Sequence, residues 1–488
     1  PSQPDHFDSY CWWKVSHLHD PVAGYVEDHR YRHPDHCSAK RPGINQKVVS
    51  YQLTAHGENS INLAQFKQLE SGLVFVTPEK LSQQNIIDAL RELTFKQKIC
   101  LFAVDECHLM TDWSGFRKEF LIIPQIFKLC IDTLQKDDER PAVAALTATL
   151  SPDGIHELQK LFKDFNMKSV VFDCYRPNLS LTMIKKKMSN QEKQEEVKNL
   201  LQVQTAEQSI SKMKLLKKQF DKTIIYCRSK QKNEDVAEFL NKQQIQCLCY
   251  HSSIRNQEEV VQKFVSNQQR VITATIAFGM GVNITDVTKI INFDLPGSIN
   301  EFLQKIGRAG RSGAASSAFQ FFSREDTLFL YKLIIFDRKE TEQNKKIQIQ
   351  NAIQIVQMLN RNVCYFAQMQ RYFCGFNVQR CGKCSACNNS QSWVYNLNEL
   401  VQVIYSFLRL QQTKITEFVP KFIQEMKEFS KCLTKKEVEK LMVRFGDKFQ
   451  EELAFYVVNE MILSGDITVD GNGEMKVQNE IEWGWLVI

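Results

Sequence analysis

The sequence predicts an α/β chain built on parallel sheets, with a helical, cysteine-bearing module and a helix-plus-hairpin segment towards its C-terminus. Three observations carry this. The apolar run Leu101-Phe-Ala-Val104 ends in Asp105-Glu106, as a strand buried on both faces does when it delivers two carboxylates to a cleft. Four cysteines, Cys364, Cys381, Cys384 and Cys387, stand in the spacing C-x16-C-x2-C-x2-C. Residues 462–477, Ile-Leu-Ser-Gly-Asp-Ile-Thr-Val-Asp-Gly-Asn-Gly-Glu-Met-Lys-Val, read as strand, tight turn, strand.

Length and composition bound the reading. A chain of 488 residues, at roughly 150 residues per domain, holds about three or four domains. Charged residues at 24% and hydrophobic ones at 43% fit a soluble globular chain. No apolar run has the length of a membrane helix and no signal peptide is visible, so no membrane partner is expected. The chain opens on Pro1, from which an upstream start is expected. A net charge of +6 permits nucleic-acid binding without requiring it. Fifteen Cys without a secretory signal argue for reduced thiols and metal, not for a disulfide scaffold.

Asp105 and Glu106 suit nucleotide hydrolysis: one carboxylate holds Mg²⁺, and the second orients or deprotonates the attacking water. Two hundred residues on, Gln304-Lys-Ile-Gly307-Arg308-Ala-Gly310-Arg311 brings two guanidiniums three residues apart, on one face if the segment is helical. A planar, permanently charged fork fits phosphate oxygens and stabilises a transferring γ-phosphate, worth roughly 10³–10⁵ in rate. The bland alternative is an acidic strand end and a basic surface helix. A Gly-rich loop ending in Gly-Lys-Ser or Gly-Lys-Thr is absent from the sequence.

The segments around these two motifs resemble a superfamily 2 helicase of the RecQ family. They are Gly72-Leu-Val-Phe-Val-Thr77-Pro78-Glu79-Lys80, Leu146-Thr147-Ala148-Thr149, Tyr175-Arg176-Pro177-Asn178-Leu179, Thr223-Ile-Ile-Tyr-Cys227-Arg228-Ser229 and Tyr250-His251-Ser252. Most specific is Ala274-Thr-Ile-Ala-Phe278-Gly279-Met280-Gly281-Val282-Asn283. The resemblance runs from about residue 44 to the C-terminus.

The resemblance implies two RecA-like lobes, residues 44–172 (incomplete) and 173–335, then a zinc-binding module at 336–392 and a winged helix at 393–488. ATP and Mg²⁺ would lie between the lobes, with Asp105 and Glu106 on one side and Arg308 and Arg311 on the other; His108, Gln304, Gly281 and Asn283 would line the nucleotide. Trp113, Phe116, Arg117, Thr147, Arg228 and His251 would meet DNA, single-stranded and as a forked duplex. The implied activity is ATP-dependent unwinding, 3′ to 5′, in repair, recombination or replication, with a nuclear location. The alternative is a non-catalytic DNA-binding pseudo-helicase.

The cysteine spacing suits one tetrahedral Zn²⁺, with two tight C-x2-C steps wrapping the ion and a helix supplying the distant thiolate. Cys374 is a spare within the loop. In the C-terminal region, Leu400, Val403, Ile404, Phe407 and Leu408 recur at helical spacing, so residues 396–430 are expected to be helical. The hairpin tip carries Asp470, Asn472 and Glu474, none of them aromatic, which disfavours a strand-separating wedge based on stacking. Residues 186–222, rich in Lys, Glu and Gln, read as a solvated helix pair.

Several positions depart from the family. Cys107 stands where Ala is usual, with similar volume. Lys305 replaces a Glu and Asn283 an Asp. The aromatic-rich loop, Leu109 to Arg117, is one residue shorter but keeps Trp113, Phe116 and Arg117 for stacking and cation–π contact.

Residues 1–43 are foreign in composition. They hold six of the ten His and five of the twelve Pro, yet show no amphipathic period and no defensible metal spacing. Cys11-Trp-Trp-Lys-Val-Ser must be encoded TGY TGG TGG AAR GTN and a Ser codon. A one-base shift reads Val/Ala-Gly-Gly-Lys/Arg, with Ser allowed next, which resembles the family's phosphate loop. The same shift lets Arg32 to Gly43 encode Val-Thr-Pro-Ile-Ile-Ala-Leu-Gln-Lys-Asp-Gln-Val, similar to the family's next motif at the right distance. The expectation is an out-of-frame translation from about residue 6 to 43; the alternative is a divergent N-terminus.

Overall fold

The computed structural model describes residues 50–53, 60–111, 118–134, 140–185, 188–202, 221–276, 278, 284–361, 363–375, 379–388, 394–396, 404, 407–408, 413–418, 421–422, 449–463, 467–477 and 485–487. The anomalous segment 1–43 lies outside them. The chain forms two compact units, Pro1–Asp173 and Cys174–Ile488.

In the first unit β1 (Ser50–Gln52) pairs in parallel with β2 (Leu73–Phe75), and β3 (Leu101–Val104) in parallel with β4 (Ala142–Ala145). Among the described residues no strand joins the two pairs. Helices α1 (Gln84–Phe95) and α2 (Ile123–Ile131) supply nine of the twenty buried residues of its core. Ile86, Ala89, Leu90 and Leu93 recur at helical spacing and are buried. Phe102 of β3 stacks on Phe127 of α2 at 4.5 Å between centroids. Helix α3 (Pro152–Leu161) begins on Ser151, whose hydroxyl accepts the Gly154 N–H, with Pro152 in the first turn. The unit is therefore a parallel α/β lobe whose sheet is incomplete over the described residues.

The second unit carries one six-stranded, all-parallel sheet: β5 (Leu179–Lys185), β6 (Thr223–Tyr226), β7 (Cys247–Tyr250), β8 (Val271–Ala274), β9 (Lys289–Asn292) and β10 (Ser316–Phe322), in the order β5-β10-β9-β6-β8-β7. Every residue of β6, β8 and β9 is buried, which is why these strands read as continuous apolar runs rather than alternating ones. Helices α4 (Asn190–Gln202), α5 (Lys230–Lys242), α6 (Gln257–Val265), α7 (Ile299–Ile306) and α8 (Arg324–Ile335) complete the α/β alternation. Ser229, Ser298 and Ser323 each cap the helix that follows a strand end. Of the helix pair expected within 186–222, the described residues hold one helix, α4, and 186–187 and 203–220 lie outside them.

Helix α9 (Glu342–Asn360) and helix α10 (Tyr365–Cys374) follow, and their buried side chains share one continuous core with the second lobe. The expected helical run 396–430 is corrected in part. Ile404, Phe407 and Leu408 are helical and buried, but β11 (Val394–Asn396) and β12 (Thr413–Lys414) interrupt the run. Thr413 pairs with Met475 in a sheet, and a β-branched residue beside a strand edge yields to that pairing over local helical periodicity. Leu400 and Val403 lie outside the described residues. Helix α11 (Phe449–Leu463) precedes the hairpin of β13 (Ile467–Val469) and β14 (Glu474–Val477), paired Ile467 to Val477 and Val469 to Met475. A last strand, β15 (Trp485–Val487), runs antiparallel to β11.

The hairpin tip does not stand free. The Asp470 carboxylate accepts the N–H groups of Asn472 and Glu474, at 3.0 and 2.9 Å. A Cβ added at Gly471 would lie 2.2 Å from Glu342 Oε2 and 2.7 Å from its carbonyl oxygen. The tip is thus seated on the first turn of α9, and only glycine allows that approach.

Candidate nucleotide site and cysteine centre

Asp105 and Glu106 leave the end of β3, but this strand is not buried on both faces as the apolar run suggested: Phe102 and Val104 are buried and Ala103 is exposed. Glu106 has φ 52° and ψ 40°, a left-handed conformation uncommon outside glycine. The surrounding hydrogen bonds over-determine it: Leu146 N–H donates to Val104 O at 2.8 Å, Cys107 N–H donates to Leu146 O at 3.0 Å, and the Glu106 N–H donates to Asp105 Oδ1 at 2.9 Å. Backbone strain of this kind is held at sites where direction matters. Although Asp105 keeps solvent contact, partial desolvation and then the Glu106 charge raise its carboxyl above the ordinary value. The Cys107 thiol is buried and pushed up to about 12 by burial and by both carboxylates, so it behaves as a small apolar residue.

The next turn binds this box to a second motif. His108 is buried, and its Nδ1 lies 2.9 Å from Thr147 Oγ1 and 3.3 Å from Glu106 Oε2. Thr147 Oγ1 in turn donates to Thr149 O at 3.1 Å and accepts the Thr149 N–H at 3.3 Å. Asp105, Glu106, His108 and Thr147 therefore form one bonded constellation at the ends of β3 and β4. Thr147, expected to face DNA, has its hydroxyl committed to this network. Beside it lies a largely apolar pocket of about 200 Å³, lined among others by Ala145, Thr147, Leu150, Leu158, Phe162 and Val170.

In the second unit the paired arginines sit on a turn, not on one helical face. Helix α7 stops at Ile306 and Gly307 is its cap; Gly310 takes φ +66°, and a Cβ there would lie 2.6 Å from Asn178 Nδ2. The buried Arg176 guanidinium donates to the carbonyls of Gly307, Ala309 and Gly310. Asn178 Nδ2 donates to Gly310 O at 2.8 Å and Ala314 O at 2.9 Å. Burial, and then Arg311, bring Arg176 down to about 10. Arg308 and Arg311 remain half-exposed on the clamped turn, and Gln304 is half-buried on α7.

Lys305 is accounted for by packing. Its Nζ pairs with Glu301 at 2.6 Å and lies 5.5 Å from the centroid of the Tyr226 ring. Burial would raise the Glu301 carboxyl, but Lys305, Arg228 and the Gly297 N–H hold it down at about 2. Arg176 and Asn178 were legible only as parts of a motif, and Glu301, three residues before the Gln304 motif, belonged to none. Polar residues flanking apolar strands were the available signal.

Arg228 donates its N–H to Asp294 at 2.9 Å and its guanidinium to Leu295 O. His251 is buried, with Nε2 2.9 Å from Glu234 Oε1. Both side chains brace strand-end loops. Trp113, Phe116, Arg117, Gly281 and Asn283 lie outside the described residues.

The cysteine centre assembles from two segments. The Sγ atoms of Cys364, Cys381, Cys384 and Cys387 all lie within 4.8 Å of one another. Individual separations are 4.0 Å (364–384), 3.5 Å (384–387) and 3.8 Å (381–387). A tetrahedral ion with sulfur at about 2.3 Å sets sulfurs about 3.8 Å apart. Cys364 heads α10, and the Cys381 N–H donates to its sulfur at 3.2 Å; the Cys384 N–H donates to Cys381 Sγ at 3.3 Å. The Cys384 hydrogen bond brings the Cys364 thiol down to about 4. Four such sulfurs fit a closed thiolate site, and Cys374 is not among them.

Residues 205–313 match the helicase conserved C-terminal domain. An ATP-dependent DNA helicase RecQ of Haemophilus influenzae is 26% identical over 377 residues, covering 74% of this chain and 56% of the relative. The RecQ-like DNA helicase blm-1 of Caenorhabditis elegans is 28% identical, covering 72% of this chain and 33% of the relative. Of solved structures, a DEAD-box helicase bound to ssRNA and UDP-BeF gives a TM-score of 0.43 at 17% identity, over 66% of this chain and 65% of that one. This chain thus spans about half, or a third, of the length of the curated relatives it matches. With the motif set above, and with RecQ helicases matching over about seven-tenths of its length at 23–28% identity, the chain is similar to the RecQ-type helicases of superfamily 2.

Proposed function

We propose that this chain carries the machinery of an ATP-dependent DNA helicase that moves 3′ to 5′ on single-stranded DNA and opens forked duplexes, in nuclear repair, recombination or replication. The carrying observation is the bonded constellation Asp105, Glu106, His108 and Thr147, which suits a Mg²⁺-dependent NTPase. The arginine turn held by Arg176 and Asn178 supports it, since a fixed guanidinium serves a transferring phosphoryl group better than a mobile one. In this reading Asp105 holds Mg²⁺ and Glu106 orients the attacking water, while Arg308 and Arg311 meet phosphate charge. Zn²⁺ occupies the four thiolates in a purely structural role; metal analysis returning no zinc removes that assignment.

As its 488 residues stand, the chain hydrolyses ATP negligibly, because it contains no Gly-Lys-Ser or Gly-Lys-Thr loop to cradle phosphates with backbone N–H groups. Residues 6 to 43 are read as an out-of-frame translation of that loop; a nucleotide sequence without a one-base shift to Gly-Gly-Lys-Ser ends that idea. A DNA-stimulated ATPase assay on this chain beside a frame-restored one tests the whole reading. Activity in the restored chain alone is expected. Inactivity in both favours the second reading, a DNA-binding pseudo-helicase, which rests on the intact cysteine centre.

A further inference from the structure

The geometry of α8 points to a docking surface for an acidic amphipathic helix on the second lobe. One face of α8 is core: Leu330, Tyr331, Ile334 and Ile335 are all buried. The other face is apolar too. Phe329, Leu333 and Phe336 follow at i, i+4 and i+7 and are 50%, 42% and 68% exposed. Large apolar side chains on the outward face of a surface helix depart from the usual polar outer face, and an exposed apolar stripe marks an interaction site. The stripe is a ridge of the kind that packs into the groove of a second helix.

The charges beside the stripe select the partner. Lys332, Arg338 and Lys339 are exposed along it and supply the positive charge; Lys232 Nζ, 5.5 Å from the centroid of the Phe329 ring, is already paired with Asp294 at 2.6 Å. Of the nearby acids, Asp337 accepts the Lys339 N–H at 2.9 Å and Glu325 lies 3.7 Å from Arg324. A basic rim around an apolar ridge is complementary to a helix with Leu or Phe on one face and Glu or Asp flanking it. A second copy of this chain would bring the same basic rim against itself in a two-fold contact. The segment 203–220 of this chain is itself Lys-rich, with Lys212, Lys214, Lys217 and Lys218, and carries the wrong sign.

Fluorescence anisotropy on the full chain tests this with four probes: a synthetic helix bearing Leu and Phe at i, i+4, i+7 among Glu, a scramble of it, its Lys counterpart, and oligo-dT. The acidic helix is expected to bind saturably, about tenfold tighter than the scramble, and to lose about tenfold in Leu333→Asp/Phe336→Asp. Its binding weakens with salt, and oligo-dT binding does not change in the variant. Phe336→Ser, at the most exposed position, gives an independent reading if the double variant melts early. Absence of saturable binding, or equal binding of the scramble or the Lys peptide, overturns the proposal. So does loss of oligo-dT binding, which reassigns the stripe to nucleic acid, or a concentration-dependent dimer abolished by the variant, which reassigns it to a second copy.

Discussion

At the scale of residues, the second lobe depends on two charges, Arg176 buried and Glu301 partly buried, that do no chemistry themselves. Arg176 satisfies three backbone carbonyls of the turn that presents Arg308 and Arg311. Arg176→Ala leaves the carbonyls of Gly307 and Ala309 without this donor and should cost about 2–4 kcal/mol. Arg176→Lys should recover only part of that, because an ammonium lacks the planar fork. Urea denaturation of the three proteins measures this, and equal midpoints for all of them would sink the assignment. Glu301 gives a pH test. Its folded value lies near 2 against an ordinary 4.5, so its contribution is full above 4.5 and is lost as pH falls towards 2. At roughly 1.4 kcal/mol per unit this is about 3 kcal/mol, similar to the cost of leaving a buried Lys305 unpaired. Glu301→Gln should therefore lower neutral-pH stability and flatten the acid limb of the urea midpoint; an unchanged limb contradicts the pairing. The motif containing Arg176 was plain in the sequence. Its target was not, because the bonds join residues about 130 positions apart.

At the scale of elements, local patterns were read well and docking was not. The hairpin β13–β14 announced itself through Asp-Gly-Asn-Gly between apolar stretches, and the cysteine centre through fixed spacing. Both are local facts. The seating of the hairpin tip on α9 is a tertiary fact, and no local signal encodes it beyond two glycines that the turn alone could explain. The same limit hid β12 inside an apparently helical stretch, since a two-residue strand is decided by its partner β14. The seated tip makes a separable prediction. Gly471→Ala forces a methyl against the Glu342 carbonyl and should cost about 1–3 kcal/mol, whereas Asn472→Ala, at an exposed tip position, should change stability by less than about 0.5 kcal/mol. In a restored, active chain Asn472→Ala should also leave unwinding unchanged, because this tip carries no stacking side chain. A large unwinding defect in Asn472→Ala with normal stability would show that the tip acts as a wedge after all.

At the scale of the whole molecule, the described residues of the two lobes form sheets of unequal extent. The second has six parallel strands, three of them buried throughout. The first offers two separate two-stranded parallel pieces over the described residues. Parallel strands draw their stability from burial on both faces and pairing on both edges, and among the described residues β4 pairs with β3 alone. Next to β4 lies the apolar pocket, and Val170 and Val171 at its rim are 62% and 47% exposed. Apolar side chains left in solvent in this way add nothing to the burial on which a parallel sheet depends. Hydrogen exchange should then rank the amides of Ile224, Ile225, Ile290 and Ile291 as protected close to the global limit of the second lobe. Those of Phe102, Ala103, Val143 and Ala144 should exchange through cheaper local opening. Restoring the frame should slow exchange in the second group and leave the first unchanged. Equal protection of the two groups in the present chain would mean that the first lobe is complete as it stands, and that its missing phosphate loop needs another explanation.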